Sequence, residues 1–318
     1  MSPSLSKVVV KAPATTANLG PGFDVFGMAL EEPYDKVTLV PASNGTIRIE
    51  VNGAFSDLIP LDPGMNTAGV VAEQMIKEFS LETGVLIRID KGIPPGVGLG
   101  SSAASAAAVA FGLNIMFNLN LENKQLVRLS AKGEVASAGF EHADNVSAAI
   151  YGGFVIIKSY EPPQIVPLKT PPNLGLCVAV PKVPPTPKKT EKARSILPTM
   201  VSMDKVRHNV GHAASLAVGF AVGDVKLIGG SMSDAIVEPV RASMIPGYSF
   251  VKDAALKAGA CGVAISGAGP SIIAVIDENQ TSPLDVAEAM KDGFKRAGLD
   301  AEVFPTRPGK GVSLLEAR

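Results

Sequence analysis

The chain has 318 residues, of which 46% are hydrophobic and 19% are charged, so it can form sizeable cores in two domains or one large one. Lysine and arginine total 29 against 30 acidic residues, and the net charge of -1 excludes the global positive field that favours nucleic-acid binding. Aromatic residues make up only 5% and tryptophan is absent, so stacking platforms for single-stranded nucleic acid are not expected.

The first residues, MSPSLSKVVV, lack the charged segment and apolar stretch of a signal peptide, so we expect a cytoplasmic protein. Cys177 and Cys261 lie far apart among small apolar neighbours, as expected for free thiols in buried strands. Residues 99–117 are uncharged, but their glycines, serines and alanines are too weakly apolar to predict a membrane span. We therefore expect neither a nucleic-acid nor a membrane partner.

The first half of the chain combines strand and helix patterns. In chain order they predict a strand at 7–12, strands at 36–40 and 46–51 joined by a hairpin turn at 43–45, a helix at 66–80, a strand at 86–90, a helix at 122–138 and a strand at 153–158. Pro13 is expected to end the first strand. The proline-rich segment 161–172 predicts a hinge between domains.

The second half continues the mixture. It predicts a strand at 174–180, a basic proline-containing loop at 181–192, helices near 191–197 and 202–221, a strand, glycine turn and strand within 261–277, a helix at 283–297 and a strand near 300–304. This mixed order predicts an α+β protein of two domains and not a doubly wound parallel sheet. We expect the domains to comprise residues 1–160 and 161–318.

The most informative segment is PPGVGLGSSAA at 94–104, which precedes an alanine-rich run. Glycines at positions 96, 98 and 100 allow successive backbone N–H groups to point inward. Ser101 and Ser102 are good capping residues, and the following helix directs the positive end of its dipole toward the loop. This arrangement predicts an anion site suited to a polyphosphate.

The spacing excludes the two commonest phosphate loops. A Walker A loop needs a lysine before its Ser or Thr, and none stands between Gly96 and Ser102. A dinucleotide fingerprint needs G-x-G-x-x-G, whereas this loop has G-x-G-x-G-S, and no acidic residue ends a second strand. From the residues alone, a simple glycine-rich turn before a buried helix remains open as an alternative.

Three glycine-bearing motifs occur in order: PATTANLGPGFDVFG at 13–27, PPGVGLGSSAA at 94–104 and ISGAGPS at 265–271. Together they resemble the GHMP kinase superfamily, which phosphorylates small metabolites with ATP. The segments HADNVSAAIYGG, TEKARSILP and VEPVRASMIPGY resemble the branch that acts on the amino acid L-homoserine. The resemblance covers about residues 7–277. It implies an N-terminal α+β domain with a left-handed β-α-β crossover and a ferredoxin-like C-terminal domain.

The resemblance also implies the site residues. ATP would be bound by Asn66 on the adenine side and by the loop residues Pro94, Pro95, Gly96, Val97, Gly98, Leu99, Gly100, Ser101, Ser102, Ala103 and Ala104. Ser102 and Glu134 would hold Mg²⁺, because magnesium is commonly bound by one or two protein oxygens plus phosphates. The amino-acid substrate would be bound by Asn18, Asp24, His142, Asn145, Thr190, Arg194 and Arg241. We further expect a homodimer.

Physical chemistry supports these roles and leaves alternatives open. Guanidinium groups offer a carboxylate a bidentate fork, and the Asp24 carboxylate suits an ammonium. Asn66 could instead cap a helix, and Glu134 could be a solvated helix residue. Arginines in proline-flanked segments are usually solvated. Lys182, Lys188, Lys189 and Lys192 either cover the nucleotide phosphates or, as we favour, belong to a solvated loop.

The group that faces the reacting hydroxyl is ambiguous, because Asp144 and Asn145 are adjacent. Neighbouring residues usually point in different directions, so we expect only one of them to reach the hydroxyl. Phosphoryl transfer needs chiefly alignment and charge stabilisation, so a strong base is dispensable. We predict that Asn145 orients the hydroxyl together with catalytic Ser102 and Glu134, and that Asp144 is a local acceptor. Other metabolite kinases of the superfamily, such as mevalonate kinase, and a non-catalytic ligand sensor remain alternatives.

Overall fold

The computed structural model describes residues 1–138, 143–184 and 189–318, except for the side chains of residues 44 and 135–138. The strands are β1 Val8–Asn18, β2 Gly22–Ala42, β3 Ile47–Asn52, β4 Gly84–Asp90, β5 Phe154–Tyr160, β6 Pro163–Leu168, β7 Leu174–Pro181, β8 Gly262–Ile265, β9 Ile272–Asp277, β10 Ala301–Thr306 and β11 Ser313–Ala317. The α-helices are α1 Thr67–Glu78, α2 Ser101–Met116, α3 Asn123–Ala138, α4 Asp144–Tyr151, α5 Lys189–Ser195, α6 Met203–Val222, α7 Val225–Gly230, α8 Glu238–Arg241, α9 Tyr248–Lys257 and α10 Pro283–Arg296.

The first sheet has seven strands and carries the N-terminal part of the chain. Its order is β11-β1-β2-β4-β3, and β2 also pairs with β5, which in turn pairs with β6. β3 and β4 are parallel neighbours, and α1 connects them. This β-α-β unit is the crossover that the family resemblance implied. The remaining pairs in the sheet are antiparallel.

The alanine-rich helix α2 lies at the centre of the first core. It packs against β1 and β2, and α1 and α3 pack against it. Its six alanines are fully buried, and small side chains allow neighbouring elements to approach closely. A Cβ added at Gly112 would lie 2.5 Å from a methyl group of Leu39. Among the described residues, no helix combines the length and apolar character needed to cross a membrane.

The second sheet has the order β10-β7-β9-β8 and is antiparallel throughout. Counted along the chain as first to fourth, its strands stand in the order 4-1-3-2, with helices after the first and after the third. α9 and α10 pack on each other, and α10 also packs on β7 and β10. This is the ferredoxin-like arrangement that was predicted, so the two-domain α+β fold is confirmed.

The predicted hairpin between 36–40 and 46–51 is wrong. Both segments are strands, but β4 lies between them, antiparallel to β2 and parallel to β3. The intervening segment Ser43–Gly45 is a single 3-10 turn. It connects β2 to β3 across the position in the sheet that β4 occupies. A local turn signal does not distinguish a hairpin from a connection that skips one position, because the choice depends on a strand that comes about forty residues later.

Prolines interrupt the strands less than the sequence analysis predicted. β1 continues through Pro13 to Asn18, with a register shift between Pro13 and Thr15. The segment 161–172 is not simply a hinge, because it contains β6, which pairs with β5. In the described sheet β6 has no second strand beside it, and at such an edge a proline lacking its N–H removes no ladder hydrogen bond.

The division of the chain at residue 160 stays a prediction about domains. The sheets divide the chain differently, because β6 and β11 both follow residue 160 and both lie in the first sheet. The second sheet is therefore built from a continuous stretch between these two strands. β11 was missed by the sequence analysis, since its five residues SLLEA give little period-2 alternation.

Candidate active site

The glycine loop before α2 adopts the conformation that its sequence indicated. Gly96, Gly98 and Gly100 have φ angles of 73°, 89° and 63°, a region that side chains with a Cβ rarely occupy. A Cβ on Gly98 would lie 2.3 Å from the carbonyl oxygen of Ser266, so space also demands glycine there. α2 begins at Ser101, which directs the positive end of a 16-residue helix at the loop.

The third glycine motif lies directly against this loop. Ser266 Oγ donates to the Gly98 carbonyl over 2.7 Å, and the Ser271 N–H donates to Val97 O over 3.1 Å. From the same turn, the Gly267 N–H donates to Ala17 O in the first motif over 3.1 Å. The three motifs that lie far apart in the sequence therefore meet at one place, where they enclose a cavity of about 340 Å³.

Most of the predicted site residues line this cavity. Those that do so are Asn18, Asp24, Asn66, Pro95, Gly96, Gly98, Leu99, Gly100, Ser101, Ser102, Glu134, Asn145, Thr190, Arg194 and Arg241. The structure brings them together from the first sheet, α2, α3, α4, α5 and α8. Part of the lining is apolar and includes Leu58, Ile59 and Met65, which suits a flat heterocycle.

Ser102 and Glu134 meet across the base of the cavity. Ser102 Oγ, on the first turn of α2, donates to Glu134 Oε2 on α3 over 3.0 Å. Burial and, to a lesser degree, the nearby Asp144 carboxylate raise the pKa of Glu134 from its ordinary 4.5 to about 7, against the opposing effects of the Ser102 hydrogen bond and the Lys91 charge. Glu134 is only 6% exposed, so the alternative of a solvated helix residue is wrong.

The charged residues predicted for an amino acid lie at one end of the cavity. Arg194 donates to Asp24 Oδ2 over 2.6 Å, and both side chains are partly open to solvent. Arg241 is 5% exposed and donates to the carbonyls of Ala193, at 3.3 Å, and Gly267, at 3.0 Å. Burial lowers the pKa of Arg241, whereas the Asp24 charge acts in the opposite direction.

A single aromatic ring supports both guanidinium groups. The Arg194 and Arg241 guanidinium carbons lie 5.3 Å and 5.2 Å from the centroid of the Phe23 ring, where the ring face attracts cations. Asn18 fixes the adjoining backbone, because its Oδ1 accepts from the Asp24 N–H over 3.1 Å and its Nδ2 donates to Gly267 O over 3.0 Å. Both Asn18 and Asp24 have positive φ, so this turn is held in an unusual backbone conformation.

Asp144 and Asn145 form one hydrogen-bonded unit, and both line the cavity. Asp144 Oδ1 accepts from the backbone N–H of Asn145 over 2.7 Å and from its side-chain Nδ2 over 3.1 Å. On the other side, Asn145 Oδ1 accepts from Thr15 Oγ1 over 2.7 Å. The expectation that the two side chains point apart is therefore wrong, because at the first turn of α4 the Asp144 carboxylate folds back onto the backbone and side-chain N–H groups of Asn145.

Asn66 acts as the N-cap of α1. Its Oδ1 accepts from the Ala68 N–H over 3.0 Å, and its Nδ2 donates to Pro60 O over 2.7 Å. The capping alternative is thus present in the structure, and the same residue lines the cavity beside Pro60 and Met65. A contact from Asn66 to adenine stays a prediction.

Lys91 is a buried site residue that the sequence analysis missed. Its ammonium forms an ion pair with the equally buried Asp35, and it donates to Ser101 O over 2.8 Å and to Ser105 Oγ over 3.0 Å. Burial lowers the pKa of Lys91, whereas the charges of Asp35 and Glu134 act in the opposite direction. Lys91 therefore fixes the first turn of α2, where Ser101 starts the helix.

Comparisons with known proteins show the family to which this chain belongs. The family model for the GHMP kinases N terminal domain matches residues 66–153, and that for the GHMP kinases C terminal matches residues 216–296. Homoserine kinases of Methanococcus vannielii and Halorubrum lacusprofundi are 44% and 45% identical to the chain, covering 98% and 97% of it and 99% of each relative. The chain belongs to the homoserine kinase family.

Solved structures share this fold. A homoserine kinase from Cytophaga hutchinsonii superposes with a TM-score of 0.91 at 36% identity, over 98% of each chain. An L. major mevalonate kinase superposes with a TM-score of 0.71 at 16% identity, over 97% of this chain and 99% of that one, which shows a shared fold. The fold is therefore shared with a kinase whose solved structure holds R-mevalonate.

Four predicted ATP residues do not line the cavity of this GHMP kinase: Pro94, Val97, Ala103 and Ala104. Ala103 and Ala104 are fully buried on the core side of α2, because one face of a helix that begins at the loop must pack against the sheet. Val97 contributes its carbonyl to the contact with Ser271. His142 lies outside the described residues, as does Lys188 of the predicted basic cluster.

The residues that were missed carried weak sequence signals. Lys91 directly follows a predicted strand and precedes the glycine loop, a position from which its side chain can reach the first turn of the next helix. Leu58, Ile59 and Met65 lie in a segment without regular periodicity. Lys189 was assigned to a solvated loop, but it begins α5 and lines the cavity.

Proposed function

We propose that this chain is a homoserine kinase, which transfers the γ-phosphoryl group of ATP to the side-chain hydroxyl of L-homoserine and releases O-phospho-L-homoserine and ADP, a step of threonine biosynthesis. The observation that carries the proposal is one cavity lined both by the glycine loop, whose conformation suits an anion, and by the carboxylate of Asp24 with the guanidinium groups of Arg194 and Arg241. The relatives that match over nearly the whole chain are named homoserine kinases.

The charged end of the cavity suits a zwitterionic amino acid. Asp24 and Arg194 pair with each other, and both line the cavity. A substrate ammonium bound by Asp24 and a carboxylate bound by Arg194 and Arg241 would complement both charges. Asn18 and Thr190 would donate or accept hydrogen bonds to the rest of the molecule, together with His142.

The substrate hydroxyl would lie near Asn145, whose amide orientation is fixed at both ends. Thr15 holds the carbonyl oxygen and Asp144 accepts from the amide nitrogen, which leaves the second N–H of that nitrogen for a ligand. Because the transition state of phosphoryl transfer is loose, holding the hydroxyl in line with the γ-phosphorus supplies much of the catalysis.

Magnesium is proposed to accompany the nucleotide. A hydroxyl and a carboxylate 3.0 Å apart, beside the glycine loop, are the hard oxygen donors that Mg²⁺ prefers, and phosphate oxygens can complete its coordination. Ser102 and Glu134 would hold the ion, which would neutralise charge on the β- and γ-phosphates. Glu134 must lose its proton to do so, and its raised pKa makes that step dependent on pH.

The test of the function is a coupled assay of ADP release with homoserine, mevalonate, shikimate and galactose. We expect turnover with homoserine alone, because only a zwitterion satisfies Asp24 and both arginines. Each charge-assisted contact to a buried group is worth about 1.5–3 kcal/mol, so a substrate that lacks the ammonium should be discriminated strongly. Equal turnover of homoserine and mevalonate would contradict the assignment of homoserine as the substrate. ATP binding without any turnover would favour a ligand sensor.

Arginine-to-lysine substitutions should not be conservative at this site. Arg194→Lys and Arg241→Lys keep the charge but lose the planar fork, so homoserine affinity should fall on the order of tenfold or more, while ATP affinity changes little. Isothermal calorimetry with each ligand measures both effects. The matched control is Arg207→Lys, because Arg207 is 83% exposed and pairs only locally with Asp204. If neither site variant changed homoserine binding, the arginines would not contact the substrate.

A homodimer in the cytoplasm is the proposed state of the protein. One face of α6 supports the dimer, because Val210, Val218 and Val222 are 61%, 51% and 68% exposed there. A second copy would cover this apolar face. Light scattering should give a molar mass twice that of one chain for the wild type and the mass of a single chain for Val218→Lys. A monomeric wild-type protein at micromolar concentration would refute the dimer.

A further inference from the structure

The cavity of this kinase is lined by more positive charge than an amino-acid carboxylate needs. Among the described residues, four basic side chains line it: Lys91, Lys189, Arg194 and Arg241. Lys91 and Arg194 form ion pairs with carboxylates, and Arg241 lies at the amino-acid end. Lys189 is the member of this set for which neither the mechanism nor an ion pair gives a role.

Lys189 lies between the two glycine loops. Its ammonium donates to Gly96 O of the second motif over 2.7 Å and also to Gly269 O of the third motif. An ammonium has three N–H donors, so these two carbonyls leave one for another acceptor. The residue is thus placed where the walls of the anion site meet, at the start of α5.

The charge of Lys189 is not balanced by a carboxylate. In the part of the chain that the structure describes, Lys189 forms no ion pair, and the charged group that acts on it is Arg241. Burial and then the repulsion from Arg241 lower the pKa of Lys189 from its ordinary 10.5 to about 7. Lys189 is partly buried, and holding an unbalanced cation there costs stability that a polyphosphate would restore.

We propose that Lys189 binds the phosphate chain of the nucleotide where the second and third glycine motifs meet. This inference rests on the proposed kinase function, since it assumes that ATP occupies the glycine loop. Helix dipole and backbone N–H groups at Ser101 and Ser102 would contact the phosphates from one side, and the Lys189 ammonium would contact them from the other. The competing account is a purely structural role, in which Lys189 only ties the two loops together.

Three substitutions separate these accounts. Lys189→Gln retains N–H donors for the two loop carbonyls but removes the charge, and Lys189→Arg retains the charge. Lys192→Met is the matched control, because Lys192 is exposed on the same helix. The binding of ATP, ADP and adenosine is measured without amino-acid substrate, by calorimetry for the nucleotides and by ligand-observed NMR for the weakly binding adenosine.

We expect Lys189→Gln to weaken ATP and ADP binding by about tenfold to a hundredfold, as for loss of a charge-assisted contact, and to leave adenosine binding unchanged. Lys189→Arg should retain most of the nucleotide affinity, and Lys192→Met all of it. An equal loss for adenosine and ATP, or no loss for either, overturns the proposal. A wild-type protein that binds ATP through Lys189 but does not phosphorylate homoserine would contradict the proposed substrate and leave this inference standing.

Discussion

Glu134→Gln is expected to lower turnover on the order of 10²-fold and to raise the Mg²⁺ concentration needed for half-maximal activity. The substitution keeps the size of the side chain and an acceptor for Ser102 Oγ, which now lies 3.0 Å from the carboxylate. It removes the negative charge that would bind the ion. Steady-state kinetics over a range of Mg²⁺ concentrations at fixed ATP give both effects.

The same variant should change how stability depends on pH in the metal-free protein. The folded pKa of Glu134 is about 7 against 4.5 ordinarily, so the folded state holds this proton more tightly than the unfolded state does. That stabilisation is complete below about pH 4.5 and is lost as the pH rises through 7, and it amounts to on the order of 3 kcal/mol. Denaturation with EDTA present should show wild type losing this stability, relative to Glu134→Gln, between pH 5 and pH 8.

Glu73→Gln is the control, because Glu73 is exposed on α1. The unfolding free energy of Glu73→Gln should depend on pH as that of the wild type does, and its magnesium requirement should be unchanged. If the difference in unfolding free energy between wild type and Glu134→Gln did not vary with pH, burial would not have raised the pKa of Glu134. Wild-type magnesium dependence in Glu134→Gln would remove this residue from the proposed metal site.

Asn145→Ala should lower turnover on the order of 10²-fold, whereas Asp144→Asn should cost less than about tenfold, because misalignment of the hydroxyl matters more than loss of a base. The alanine removes the amide that Thr15 and Asp144 hold in place. In Asp144→Asn an oxygen remains to accept from the Asn145 N–H groups. Single-turnover rates at saturating substrates measure the chemical step in both variants.

A second measurement distinguishes a base from a positioning role for Asp144. Loss of a general base typically costs about 10²–10⁴-fold, so a fall of that size in Asp144→Asn would overturn the base-free mechanism. If Asp144 acts only through its charge and hydrogen bonds, Asp144→Asn should instead lower the pKa of Glu134, since the Asp144 charge helps to raise it. The acidic limb of the pH–rate profile would then move to lower pH.

The sequence predicted those parts of the fold that depend on local patterns. The amphipathic helices α1, α3 and α10 and the buried strands β7 and β9 lie within a few residues of the expected positions. Pairing was harder to predict. The place of β4 between β2 and β3, and the addition of β11 to β1, depend on contacts between distant segments that no local window contains.

The site was predicted mainly from glycines and from residues with distinctive chemistry. Gly96, Gly98 and Gly100 could be recognised because only glycine readily adopts their φ angles. The positions of Lys91 and Lys189 could not be predicted, since a lysine in the sequence gives no sign of whether its ammonium is solvated or held by backbone carbonyls. Likewise the unit of Asp144 and Asn145 depends on how α4 begins, which adjacent residue types alone do not specify.

The pairing of β11 with β1 constrains the order in which the protein can be completed on the ribosome. Lys7 and Glu316 form an ion pair although they lie 309 residues apart in the sequence. The edge position of the first sheet beside β1 is therefore filled only after residues 313–317 have been synthesised, and β1 exposes an unpaired edge until then. A nascent chain that already contains the glycine loop still offers that edge to other strands until β11 is made.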